Sequence, residues 1–138
     1  MRERVRFTEL ELSGAYLIEI DPHWDERGFF ARTFCAQEFE DRGLVPLISQ
    51  SSTSFNARCG TVRGMHYQES PHQETKLVRC TSGSIFDVIV DLRAESATFR
   101  KWRSVELTRD NHKMLYIPPG FAHGFQTRAM QPREHFLF

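Results

Sequence analysis

The sequence predicts an all-β domain, a sandwich or a barrel, with one short helix. Three observations carry this. Short segments rich in β-branched and aromatic residues recur along the chain, each bounded by Gly, Pro, Asp or Asn. One stretch alone, Thr33 to Arg42, has the character of a helix. The segment Ser84 to Arg93 alternates strictly, with Phe86, Val88, Val90 and Leu92 on one face and Ile85, Asp87, Ile89 and Asp91 on the other.

Taken in order, strands are expected at Gly14–Asp21 and Phe29–Phe34. The helix follows, placing Cys35 and Phe39 on one face and ending where Gly43 supplies a stop. Further strands are expected at Gly60–Gln68, Thr75–Cys80, Ser84–Arg93, Arg100–Leu107 and Lys113–Ile117. In the alternating segment a carboxylate between two isoleucines does not suit a wet face. Asp87 is therefore expected inside, where a buried carboxylate requires a partner.

A chain of 138 residues forms one domain, here residues 1–138, and buries a core without covalent staples. Its 18 basic and 18 acidic residues balance, so no global field points to nucleic acid or an anionic membrane as partner. No apolar run reaches the length of a membrane span, and the basic first residues are not followed by a signal-peptide core. Cys35, Cys59 and Cys80 form an odd, scattered set with no CxxC pair, which reads as reduced thiols in a cytoplasmic protein. No internal repeat or linker interrupts the chain.

Two motifs carry chemistry. The stretch Gly60 to Gln68 (GTVRGMHYQ) is followed by Glu74 and Lys76, and Pro118 to His123 (PPGFAH) comes later. Together they resemble the two motifs of the cupin barrel, which makes a cupin-type jelly-roll β-barrel the expected fold. Metal-binding cupins supply three histidines and a carboxylate. Here Gln68 stands at the second histidine position, so the ligand set is depleted and no metal is expected. Histidine is also the side chain suited to moving protons near neutral pH, which favours proton chemistry at this site.

With further blocks, the chain resembles the dTDP-4-dehydrorhamnose 3,5-epimerase family of cupin-fold sugar-nucleotide enzymes. The matching blocks are Asp25–Phe30, Gln50 with Ser54 and Asn56, Gly60–Gln68, Glu74–Arg79, Asp87–Arg93 and Ile117–Phe125. The resemblance implies a cofactor-independent epimerase acting on a dTDP-4-keto-6-deoxy sugar by proton removal and return beside the ketone. Such chemistry needs a base, a positive group near the keto oxygen and an acid on the opposite face. The family are dimers, so a homodimer is expected, with the N-terminal region reaching the partner's pocket.

Carried over residue by residue, His66 matches the family's base and Lys76 the lysine that steadies the enolate. His123 corresponds to a second pocket histidine that orients substrate, and Asp87 is a candidate orienting carboxylate. Arg63 and Arg27 match arginines that meet the substrate and its diphosphate, for which a planar guanidinium is suited. Phe30 and Gln50 match positions that hold the nucleotide and sugar. Strict alternation would put Arg63 and His66 on opposite faces, so both reach the pocket only if the strand bulges, and Gly64 is the natural place.

The sequence also departs from the family. Ser52 stands where an asparagine is usual, and Arg32 where many members have a glutamate. Family members continue well past this chain's end, which reads as C-terminal truncation and implies reduced activity. The acidic tyrosine of the family should fall near Phe136–Phe138, where no tyrosine occurs. The residue reading leaves other functions open: a 3-epimerase or ketoisomerase on a related dTDP-sugar, a metal cupin using His66, Glu74, His123 and Gln68, or a non-catalytic sugar-nucleotide-binding domain.

Overall fold

The computed structural model describes residues 4–128. Ten strands and one helix follow in order: β1 (Arg6–Glu9), β2 (Tyr16–Glu19), β3 (His23–Asp25), β4 (Gly28–Phe30), α1 (Ala36–Asp41), β5 (Val62–His66), β6 (Lys76–Arg79), β7 (Ser84–Asp91), β8 (Trp102–Thr108), β9 (Met114–Ile117) and β10 (Phe121–Thr127). They build two four-stranded antiparallel sheets, ordered β1-β2-β9-β6 and β5-β10-β7-β8, and a separate β3-β4 hairpin. The result is the cupin-type jelly-roll β-barrel expected, with its one short helix.

Inner faces of both sheets supply the main core. Ile85 and Ile89 of β7, Phe121 and Phe125 of β10 and Leu107 of β8 meet Leu115 and Ile117 of β9 and Val78 of β6. Asp87 and Asp91 share the inner face of β7 with the isoleucines and are fully buried.

A second cluster covers the outer side of the β1-β2-β9-β6 sheet, where Phe39 of α1 packs with Ile18, Met114 and Tyr116. The strand β9 is therefore buried at every position, which explains its uninterrupted apolar run. The helix is short because it makes no side-chain N-cap bond at Cys35 and is closed by Gly43, at φ 71°. Its order derives from Phe39, whose ring meets Phe7, Phe34 and Tyr116.

Several boundaries differ from those expected. The segment Phe29–Phe34 yields a strand only to Phe30, and the helix begins at Ala36 rather than Thr33. Arg100 adopts φ 69° to close a turn, so the strand after it starts at Trp102. The strands β1, β3 and β10 were not anticipated. In β10 the histidine motif itself, with its internal Gly124, masks a strand pattern.

The excursion between β7 and β8 is tied to one carboxylate. Asp91 accepts hydrogen bonds from Arg93 Nε (2.9 Å) and Nη2 (2.9 Å), from the Arg93 backbone N–H (3.0 Å), and from Ser96 Oγ and Thr98 Oγ1 (2.6 Å each). Burial alone would raise this carboxyl, but the bonds from Arg93, Ser96 and Thr98 outweigh it and hold Asp91 well below the usual carboxylate range.

Candidate active site

Among the described residues the strand β5 is a sheet edge paired only with β10, and it is irregular where it matters. His66 lies opposite His123 and Arg63 opposite Phe125, so two residues of β5 face one residue, Gly124, of β10. This bulge spans Gly64 and Met65. It puts Arg63 and His66 on the same face of the strand, which strict alternation would forbid. Glycine is required at Gly64 on two counts: φ is 105°, and a Cβ there would lie 2.7 Å from both Gly124 Cα and His123 O.

The strand β6 brings up the other side. Lys76 shares a face with Val78, which is buried in the inner core, so the lysine side chain belongs to the interior side of its sheet. His66 and Lys76 line one cavity of about 410 Å³, together with Met65, Tyr67, Gln68, Glu74, Gly120 and Phe121. Polar and ionisable groups thus converge from β5, β6 and the segment between them, against a wall formed by the start of β10.

Behind that wall His123 is 7% exposed, and its Nε2 lies 2.6 Å from Asp87 Oδ1. The second oxygen, Asp87 Oδ2, is buried with no hydrogen-bond partner among the described residues. Burial pushes the Asp87 carboxyl up; the bond to His123, the His123 charge and the Lys76 charge pull it the other way without cancelling that rise. Asp87 therefore holds the imidazole of His123 in place and feels the ammonium of Lys76 across the barrel interior.

The remaining candidates lie away from this cavity. Arg63 extends from the bulged edge to donate from Nε to Asn56 Oδ1 (2.6 Å) and from Nη2 to Phe55 O (3.2 Å). Asn56, 2% exposed, thus fixes the guanidinium, and the sequence reading had assigned it no such part. Arg27 sits in the turn of the β3-β4 hairpin and pairs with Asp25 at 2.7 Å, with its side chain 86% exposed. Phe30 is exposed at the end of β4, and Gln50 is exposed in the irregular run between α1 and β5. None of Arg27, Phe30, Gln50 or Arg63 lines the cavity that holds His66.

Tyr67 and Phe121 line that cavity without having been singled out as site residues, and Glu74, named only for the metal alternative, lines it too. Their positions inside the two motifs were the available signal. The position near Phe136–Phe138, where an acid was sought, lies outside the described residues. Among the described residues no group of three or more His, Cys, Asp or Glu side chains is placed to hold a metal ion. The three cysteines are free thiols. No helix among the described residues is long and apolar enough to cross a membrane.

Comparison with known proteins agrees with this architecture. The family model for dTDP-4-dehydrorhamnose 3,5-epimerase matches residues 9–137. A protein of that name from Sinorhizobium fredii is 43% identical over 129 residues, which cover 91% of this chain and 64% of that relative. One from Methanothermobacter thermautotrophicus is 44% identical over 120 residues, covering 87% of this chain and again 64% of the relative. The chain thus spans just under two thirds of the length of these relatives. The crystal structure of the Bacillus anthracis dTDP-4-dehydrorhamnose 3,5-epimerase, with TDP and PPi bound, superposes with a TM-score of 0.90 at 38% identity. That superposition covers 97% of this chain and 75% of the other. The chain belongs to the dTDP-4-dehydrorhamnose 3,5-epimerase family.

Proposed function

We propose that the protein is a cofactor-independent epimerase of a dTDP-4-keto-6-deoxy sugar, with His66 as base. The observation that carries this is the convergence of His66 and Lys76, from two different sheets, on one cavity. A ketone acidifies the hydrogens on its neighbouring carbons. The neutral imidazole of His66 takes such a proton, the C–H electron pair moves into a carbon–carbon double bond, and negative charge collects on the keto oxygen. The Lys76 ammonium stabilises that oxygen. A solvent-derived proton delivered to the opposite face inverts the carbon as the double bond collapses back to the ketone, and His66 releases its proton to water. His123, fixed by Asp87, lies behind the cavity wall opposite His66 on the neighbouring strand and supports the base from there rather than lining the cavity.

In this reading Arg63, braced by Asn56, meets the diphosphate at the rim. Arg27, Phe30 and Gln50 lie too far out on their own chain to line the cavity, and they serve the neighbouring subunit's site in a homodimer. The protein acts in the cytoplasm, where sugar nucleotides are made.

The test follows dTDP-4-keto-6-deoxyglucose in deuterated water by proton NMR. Deuterium entering carbons 3 and 5 supports double epimerisation, and entry at carbon 3 alone would narrow the reaction to a 3-epimerase. A His66→Asn variant that still binds dTDP should exchange about a hundredfold to ten-thousandfold more slowly. Exchange at the wild-type rate in that variant would remove His66 from the base position.

A further inference from the structure

We propose that the hydrogen bond from Gln68 Nε2 to Glu74 Oε1, 3.0 Å long, is a strut that sets the separation of His66 and Lys76. The inference rests on the reading of those two residues as base and enolate stabiliser.

Gln68 lies two residues after His66, and Glu74 two residues before Lys76. Each thus sits just beyond the strand end that carries its neighbour, and all four line the same cavity. The strands that carry His66 and Lys76 belong to different sheets and share no ladder of backbone hydrogen bonds. They are joined only through the segment from Tyr67 to Thr75, which contains no regular secondary structure. Such a connection leaves the gap between two edge strands free to widen. The Gln68–Glu74 bond spans that segment and makes a short path from one strand to the other: His66, Tyr67, Gln68, then across the bond to Glu74, Thr75 and Lys76. Gln68 and Glu74 are thus positioning residues, acting on the reaction through the residues beside them.

The experiment uses the full chain and two readouts. Amide hydrogen exchange across residues 67–75 reports whether the strut holds the segment, and turnover of the 4-keto sugar nucleotide reports whether that matters. Gln68→Ala and Glu74→Ala should each speed exchange in the segment and lower kcat about tenfold or more with KM changed less than twofold. The two losses should not add in the double variant, because they break one bond. Glu74→Gln keeps an oxygen that accepts from Gln68, and should retain both protection and kcat. Unchanged exchange in Gln68→Ala would overturn the strut whatever the turnover. Faster exchange with unaltered kcat would overturn its positioning role. A Glu74→Gln variant as impaired as Glu74→Ala would show that the carboxylate itself meets substrate, which also overturns the proposal. Should the wild-type chain fail to turn over the sugar nucleotide, the functional reading fails while hydrogen exchange still decides the strut.

Discussion

Replacing Gly64 with alanine tests the bulge that brings Arg63 and His66 to one face. The added methyl meets two separate penalties. At φ 105° an L side chain is strained, which costs about 1–3 kcal/mol. The new Cβ also lies 2.7 Å from Gly124 Cα and from His123 O, both backbone atoms of β10 that have no rotamer by which to retreat. Overpacking of this kind costs roughly another 1–3 kcal/mol. Gly43→Ala is the matched control, because it has φ 71° and nothing within 4 Å of the added methyl. It carries the conformational cost alone. Urea denaturation followed by tryptophan fluorescence should show Gly64→Ala about 2–6 kcal/mol less stable than wild type, with the slope m unchanged, and Gly43→Ala only about 1–3 kcal/mol less stable. Activity should fall in the first variant and persist in the second, because the displaced backbone carries His66 and His123. Equal destabilisation of the two variants would refute the argument, since the close approach to β10 would then have no energetic consequence.

Three further outcomes are expected. Asp91→Asn removes the charge and one of the two acceptor oxygens of a fully buried carboxylate that takes five hydrogen bonds, and should cost about 3 kcal/mol near neutral pH. The native carboxyl is held below its unfolded value, so its contribution is complete above about pH 5 and is lost as pH falls through and below about 4. The stability gap between wild type and variant should accordingly shrink on acidification, and a gap independent of pH would contradict the assignment. Lys76→Met keeps the length of the side chain without its charge and should lower kcat about a hundredfold or more, while dTDP affinity by calorimetry stays within a few-fold. Phe39→Ala empties the cluster that docks α1 and should cost about 3–5 kcal/mol, read as a lower urea midpoint.

The sequence revealed most where one residue type had a single reason to be there. Alternation in β7 placed Asp87 among isoleucines, and a buried carboxylate demands a partner. The structure supplies His123, although nothing in the local pattern named it. The need for a bulge at Gly64 was likewise legible from the spacing of Arg63 and His66. The short strands β1 and β3 were not, because they are mostly exposed and owe their conformation to pairing rather than to pattern. The part of Asn56 was hidden for a different reason. A side chain that braces another across seven residues of irregular chain leaves no periodic trace. Arg27, Phe30 and Gln50 show the limit of carrying roles over by motif, since the motif marks a residue without saying where the fold puts it, and none of the three lines the cavity.

The placement of His66 and Lys76 on opposing sheets makes the hydrophobic interior a calliper for the chemistry. The two sheets are held apart by the side chains between them, among them Ile85, Ile89 and Leu107 on one and Val78, Leu115 and Ile117 on the other. Facing sheets stand roughly 10 Å apart, and a single methylene added or removed is felt across such a layer. Trimming Leu115 or enlarging Val78 therefore moves the strands on which His66 and Lys76 are mounted, with no change in the residues that line the cavity. The width of that cavity is thus set by apolar positions that do not line it.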